Sequence, residues 1–181
     1  MRIFILFFFI FFTPINSDNL DQKNKLDQLF KQLSKINNSK TAEQLEKKIW
    51  LIWNEHPSNL KLTDRLELGT ELMHYGNYDY ALEVFNNIIY TDPKWSEAWN
   101  KRATLFFLMK DYKSSLKDID KVLGLEVRHF GALSGQARIY IKLKEYEKAI
   151  LSLKKALKFY PSFKSGELIP EIEKIIKEQI I

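Results

Sequence analysis

The sequence predicts an all-α chain, built as a short solenoid of helix pairs. Three observations carry this prediction. Residues of matching size recur every 34 positions in five parallel series. Within each period, apolar residues recur at helical rather than strand spacing. Gly and Pro are scarce, at six and five residues in 181, whereas an all-β chain needs many Gly/Pro turns.

Residues 1–17 read as an address rather than a fold element. Arg2 precedes the apolar run IFILFFFIFF, and Pro14 and Ser17 follow it. A positive start, a short apolar stretch and a small residue at its end match a cleavable secretory signal. The run is shorter than the roughly 20 apolar residues that a membrane-spanning helix needs. Cleavage is expected after Ser17. It would leave a periplasmic or secreted chain with no membrane span. The chain has no Cys, so no lipoprotein anchor follows the leader, and disulfides and thiolate metal sites are excluded with it.

Residues 18–60 do not fit the 34-residue period and read as a helical hairpin. One helix is expected over Leu20–Ile36, with Leu26, Leu29, Phe30 and Leu33 inward. The other is expected over Ala42–Glu55, with Leu45, Ile49, Ile52 and Trp53 as its apolar stripe. Thr41 and Gln44 have the spacing of a capping box, and Asn37, Asn38 and Ser39 form the turn. The hairpin is expected to act as a degenerate leading repeat covering the first helix pair.

Residues 62–163 hold the periodic part, in units 62–95, 96–129 and 130–163. Gly69, Ala103 and Ala137 form one series. Ala81, Ser115 and Ala149 form the second, and Tyr78, Tyr112 and Tyr146 the third. Phe85, Ile119 and Leu153 keep the same step, as do Pro93, Val127 and Pro161. In the middle unit the two helices are expected over Lys94–Met109 and Tyr112–Leu123. A Gly in mid-helix costs about 1 kcal/mol relative to Ala. Small residues there make sense where the paired helix crosses and needs close approach. Pro93 and Pro161 end their units, because Pro cannot continue a helix. Residues 164–181 place Leu168, Ile172, Ile175 and Ile176 on one face. This suits a C-terminal capping helix, since an array's last repeat has no neighbour. Pro170 is expected in its first turn.

This pattern resembles the tetratricopeptide repeat. The resemblance rests on Leu68-Gly69, Tyr78, Ala81, Phe85 and Pro93 in the first unit. In the second it rests on Trp99, Ala103, Phe106, Tyr112 and Ser115, and in the third on Ala137, Tyr140, Tyr146, Ala149, Ala156 and Pro161. Arg65 stands where the pattern has an aromatic, and Val127 where it has Pro. The segments EAWNKRATLFF and RHFGALSG also look like those of exported bacterial repeat proteins of unassigned function. The resemblance implies a right-handed solenoid of three repeats with a concave groove that binds peptides or protein surfaces. In the family's register, Leu66, Thr70, Met73 and His74 project into the groove from the first unit. Asn100, Thr104 and Phe107 do so from the second, and Ser134, Arg138 and Ile141 from the third. The chain does not resemble the subclass that grips C-terminal carboxylates with Lys, Asn and Arg. Leu66, Thr70, Gly131 and Gly135 stand at those sites, and only Lys101 offers a cation.

The residues themselves point away from catalysis. His56, His74 and His129 have no partner at metal-ligand spacing, so no metal or other cofactor is expected. There is no Gly-rich phosphate loop and no Ser in a Gly-x-Ser-x-Gly turn. Asp118 and Asp120 flank Ile119 and point apart on a helix. The net charge of +5 is spread over lysines that alternate with acids along every helix. A nucleic-acid face would cluster them. An accessory or weakly hydrolytic envelope protein would need a nucleophile or metal cluster, and a nucleic-acid binder would need a basic patch. A non-catalytic scaffold with a protein or peptide partner is therefore the expectation.

Trp50/Trp53 and Trp95/Trp99 each share a helix face. Trp53 and Trp99 are expected in the core, while Trp50 and Trp95 are less constrained. Arg102 stands beside Ala103 where the repeat prefers an apolar residue. Either it finds a carboxylate among Asp118, Asp120 and Glu126, or its stem lies over the core with its head in water.

Overall fold

The computed structural model describes residues 17–36 and 38–180. The expected leader and cleavage site fall on residues 1–17, of which all but Ser17 lie outside the described part. Among the described residues there are nine α-helices and no strand. They are α1 (Ser17–Leu33), α2 (Ser39–Asn54), α3 (Leu60–His74), α4 (Tyr78–Thr91), α5 (Ser96–Leu108), α6 (Tyr112–Leu125), α7 (Phe130–Lys142), α8 (Tyr146–Phe159) and α9 (Leu168–Ile180). A short 3-10 turn, Lys164–Glu167, leads into α9. No described helix is long and apolar enough to cross a membrane.

The three pairs α3/α4, α5/α6 and α7/α8 are the three 34-residue units. Their crossing points are the small-residue series. Gly69 is buried, and a Cβ added to it would lie 2.6 Å from Cε1 of Phe85. Ala81, Ala103, Ala137 and Ala149 are all buried. Ser115 is the one hydroxyl in these series, and it is satisfied by donating to the Ala103 carbonyl at 2.7 Å. Burial follows one register in the second helices. It takes Ala81, Phe85, Ile88 and Ile89 in α4, and Ala149, Ile150, Leu153 and Ala156 in α8. That is the i, i+4, i+7 stripe of an amphipathic helix.

Each first helix ends the same way. The residues after α3, α5 and α7 include Gly76 (φ +78°), Lys110 (φ +63°) and Lys144 (φ +60°), again 34 apart. This is the left-handed residue of a helix C-terminal motif. The following amide reaches back to the last turn: Asn77 N–H to Leu72, Asp111 to Phe106, and Glu145 to Tyr140, at 2.8–2.9 Å. The motif needs φ > 0 and Gly takes it without strain, yet only the first unit has Gly there.

The N-terminal hairpin departs from expectation in its ends and in its seat. α1 is already helical at Ser17, where the described residues begin, and ends at Leu33 rather than Ile36, and α2 starts at Ser39 rather than Ala42. No Thr41/Gln44 box forms. Asn38 is the N-cap instead, its side chain accepting the Thr41 N–H at 3.1 Å. The hairpin also does not simply cap the first pair. Its Leu26, Phe30, Leu33, Leu45, Ile49 and Trp53 share one core with Phe130 and Leu133 of α7 and with Ala156 and Tyr160 at the end of α8. α2 touches α5 as well. The hairpin thus lies across the face formed by the first helices of the later units. Polar contacts hold it there: Asp27 to Arg128 at 2.6 Å, the Tyr160 hydroxyl to Glu46 at 3.0 Å, and Lys164 to Glu43 at 2.8 Å. Phe30 also lies under the Arg128 guanidinium at 4.5 Å.

At the other end, Ile172 of α9 is buried against Ala137, Ala149, Ile150 and Leu153, with Leu168, Ile169 and Ile176 packed around it. Pro170 falls in the first turn of α9, where its missing N–H is tolerated.

Candidate functional site

Small residues on α5 and α7 leave a cavity of about 350 Å³ between these helices and α2. Ala103, Ala132, Gly131 and Gly135 keep its walls thin, while Ser115 and Ile119 of α6 line it as well. Trp50 and Glu46 of α2 form one side, and Phe163 and Ser165 close the end towards α9.

Of the ten residues expected in the groove, five line this cavity: Asn100, Thr104, Phe107, Ser134 and Arg138. The others do not. Leu66 is 1% exposed and belongs to the core with Leu62 and Phe85, so nothing outside the chain can touch it. Met73 packs on that same core. Thr70 turns its hydroxyl onto the Leu66 carbonyl at 2.7 Å. His74 is exposed at the end of α3, against Tyr75. Ile141 packs towards Ala137 and α8. For the four residues on α3 the physical reason is the hairpin. Its seat on α5 and α7 makes α2 the opposite wall there, and α3 lies outside the enclosed space.

Beneath the cavity lies a buried polar cluster that the sequence reading missed. Glu97 and His129 are both fully buried, with His129 Nε2 3.0 Å from Glu97 Oε2. His129 Nδ1 accepts the Ala132 N–H at 3.1 Å and so caps α7. With that lone pair used, the proton sits on Nε2 and is donated to Glu97. Asn100 donates to both Glu97 oxygens at 3.1 and 3.2 Å, and Lys101 stands at 3.4 Å. Burial alone would raise the Glu97 pKa. The His129 hydrogen bond, with Lys101 and Asn100 behind it, outweighs this and holds the carboxyl below its usual 4.5. Trp53 stacks on the imidazole, with centroids 4.0 Å apart and planes 7° from parallel.

His56 repeats the arrangement at the entrance to the first unit. Its Nδ1 accepts the Ser58 N–H at 3.2 Å, and its Nε2 meets Asp92 at 2.9 Å. Both histidines are therefore structural, and the carboxylate partners lie 36 and 32 residues away in sequence. Spacing along one helix could not reveal them. Among the described residues no group of three or more His, Asp or Glu side chains could hold a metal ion.

Arg102 takes the carboxylate reading. Its Nε and one terminal nitrogen grip Asp118 at 2.7 and 2.8 Å, and the other reaches Asn86 at 2.7 Å. Its plane also lies over Trp99 at 4.9 Å. Trp99 is half-buried rather than core, its N–H donating to the Pro93 carbonyl. Trp95, by contrast, is buried and donates to the Trp53 carbonyl at 3.0 Å.

These features define a helix-pair solenoid whose inner face is partly occupied by its own N-terminal hairpin. The chain is 32% identical over 145 residues to a TPR repeat-containing protein of Rhizobium etli, a match covering 80% of this chain and 71% of that one. It belongs to the tetratricopeptide repeat family. The model for anaphase-promoting complex, cyclosome, subunit 3 matches residues 74–156. The mouse DnaJ homolog subfamily C member 3 is 32% identical over 104 residues, 58% of this chain but only 21% of that protein. Among solved structures, the first TPR of Spaghetti (RPAP3), bound to an HSP90 peptide, has a TM-score of 0.61 at 19% identity, covering 65% of this chain and 94% of that one. A tetratricopeptide repeat protein from Parabacteroides merdae has a TM-score of 0.60 at 19% identity, with 91% and 62% covered. At such identities the likeness shows the fold.

Proposed function

We propose that this chain is a non-catalytic protein–protein interaction scaffold of the bacterial cell envelope. An N-terminal leader exports it, and it holds a segment of a partner protein in the cavity between α2, α5 and α7. The observation that carries the reading is the cavity itself. It is concave, of a size that ligand sites use, walled by Trp50, Phe107 and Phe163, and open to the exposed Arg138. Aromatic and Arg side chains are the usual energetic centres of interfaces. The solved neighbours give it support. One is bound to an HSP90 peptide, and another is the TPR2B domain of yeast Sti1 in complex with pHsp70, at a TM-score of 0.56.

Two experiments test this function. Expressed with its leader in a bacterium, the chain should be recovered from the periplasm as a form starting near Asp18; an intact mass that keeps Met1 on a membrane-bound product would refute export. Immobilised chain should capture a partner from its own cell envelope, and Arg138→Ala should weaken that capture while leaving the melting temperature unchanged. Capture that survives Arg138→Ala but fails with Trp50→Ala would move the contact to the hairpin.

A further inference from the structure

Two charged residues line the cavity, and they differ in what they have left to offer. Glu46 commits Oε1 to the Trp50 indole N–H at 3.3 Å and Oε2 to the Tyr160 hydroxyl at 3.0 Å. Burial, then the charge of Glu46, pushes the Tyr160 hydroxyl well above its ordinary pKa, so it stays protonated and keeps donating. The other polar groups spend their donors within the protein. Thr104 donates to the Asn100 carbonyl and Ser115 to the Ala103 carbonyl, and the Ser134 and Ser165 hydroxyls bond each other at 3.0 Å. The Asn100 amide donates to Glu97. Arg138 alone differs. It is exposed and makes no ion pair or side-chain hydrogen bond among the described residues, so a guanidinium with five donors stands free at the mouth.

We infer that the cavity takes a peptide segment with one large apolar side chain inserted between Trp50, Phe107 and Ile139 and an acidic side chain beside it on Arg138. This rests on the binding reading above and specifies its ligand. The interior favours an apolar guest because Trp50, Phe107 and Ile139 wall it and its hydroxyls and amide have already spent their donors, so an acceptor on a guest would lose water without replacing it. The charge preference follows from Arg138, which can meet a carboxylate in a two-pronged bond. A chain rises by about 3.3–3.6 Å per residue when extended. The acid therefore belongs within a residue or two of the inserted side chain. The Glu46 carboxylate already accepts at both oxygens, from Trp50 and Tyr160, so a cation would meet a charge that is partly compensated within the protein.

The test uses the purified chain, 15N-labelled, with a positional-scanning library of blocked hexapeptides as the probe. Binding is read from the amide signals of Gly131 and Gly135 on the cavity wall. Selection should favour Phe, Leu, Ile, Met or Trp at one position and Asp or Glu within two residues of it. Exchanging the acid for Lys should weaken binding about fivefold, the range of a partly exposed ion pair. Arg138→Glu, an exposed change that leaves the fold intact, should turn the preference towards Lys or Arg. Peptides that move the Gly131 and Gly135 signals with no charge preference, or with one that Arg138→Glu leaves unchanged, would overturn this inference while keeping the cavity as a binding site. No shift at Gly131 and Gly135 with any peptide pool would overturn both.

Discussion

Replacing His129 with Ala removes three things at once. The first is the α7 N-cap, whose loss costs about 1 kcal/mol. The second is the principal partner of a fully buried carboxylate. The third is the ring stacked on Trp53. Breaking a buried pair by deleting one member costs about 3–5 kcal/mol. Because Asn100 and Lys101 still reach Glu97, the total is expected inside that range rather than above it. For a chain of this size each kcal/mol lowers the melting temperature by about 2–4 °C, so the variant should melt roughly 6–20 °C below the parent in far-UV circular dichroism at pH 7. The exposed His74→Ala serves as the control and should leave the melting temperature unchanged. The sign of the pH response separates this explanation from simple loss of packing. In the parent, the Glu97 pKa is lowered. Its contribution is complete above the usual carboxylate pKa of 4.5 and is lost as pH falls through the folded-state value. In the variant, the desolvated and less compensated carboxylate takes up a proton more readily. Acidification from pH 7 should then restore part of its stability and narrow the gap to the parent. A loss under about 1 kcal/mol, or a gap that widens on acidification, would refute the assignment of Glu97–His129 as an ion-supporting pair.

Arg102→Ala should destabilise by about 3–5 kcal/mol, since it leaves Asp118 buried and without its two-pronged partner; Arg102→Lys should recover only part of this in urea unfolding, because an ammonium cannot span Asp118 and Asn86 together. Gly69→Ala should cost about 1–3 kcal/mol despite the better helix propensity of Ala, because the new methyl would meet the Phe85 ring. Unchanged melting would show that α3 and α4 can part at that point. Ala103→Leu and Ala137→Leu should each cost about 1–3 kcal/mol in thermal unfolding, and two variants that melt like the parent would contradict the crossing points.

The periodic part of the fold was legible because its constraints are steric and local in register. Only a small side chain fits where paired helices cross, so Gly69, Ala103 and Ala137 mark the period directly. The helix ends were less legible. Lys110 and Lys144 hold the same left-handed conformation as Gly76, but a Lys gives no sign of φ > 0, so the series is invisible without the backbone. The hairpin's seat was hidden for a different reason. Its apolar stripe records that α1 and α2 bury a face, not what they bury it against. One trace was available in Gly131, a helical Gly outside the crossing series: a Cβ there would come within 2.5 Å of Trp50 Cη2. That Gly marks where the hairpin presses on α7.

The same register shows why a single polar residue in a repeat is poor evidence of a binding site. Arg102 and Asp118 face each other across the second unit. At the equivalent positions the third unit has Gln136 and Ser152, joined by a 2.8 Å hydrogen bond, and the first has Leu68 and Val84. The same pair of positions is thus ionic, neutral polar or apolar in different units, and in the two polar versions the partners satisfy each other. A polar side chain inside such an array is evidence for a ligand only when the structure leaves its hydrogen-bonding groups unused. Glu97 and Glu46 accept, and Asn100 and Thr104 donate, within the protein, and Ser134 pairs with Ser165. Arg138 lines the cavity with its donors free. This difference in satisfaction, rather than position in the groove, is what singles it out among the five expected groove residues that reach the cavity.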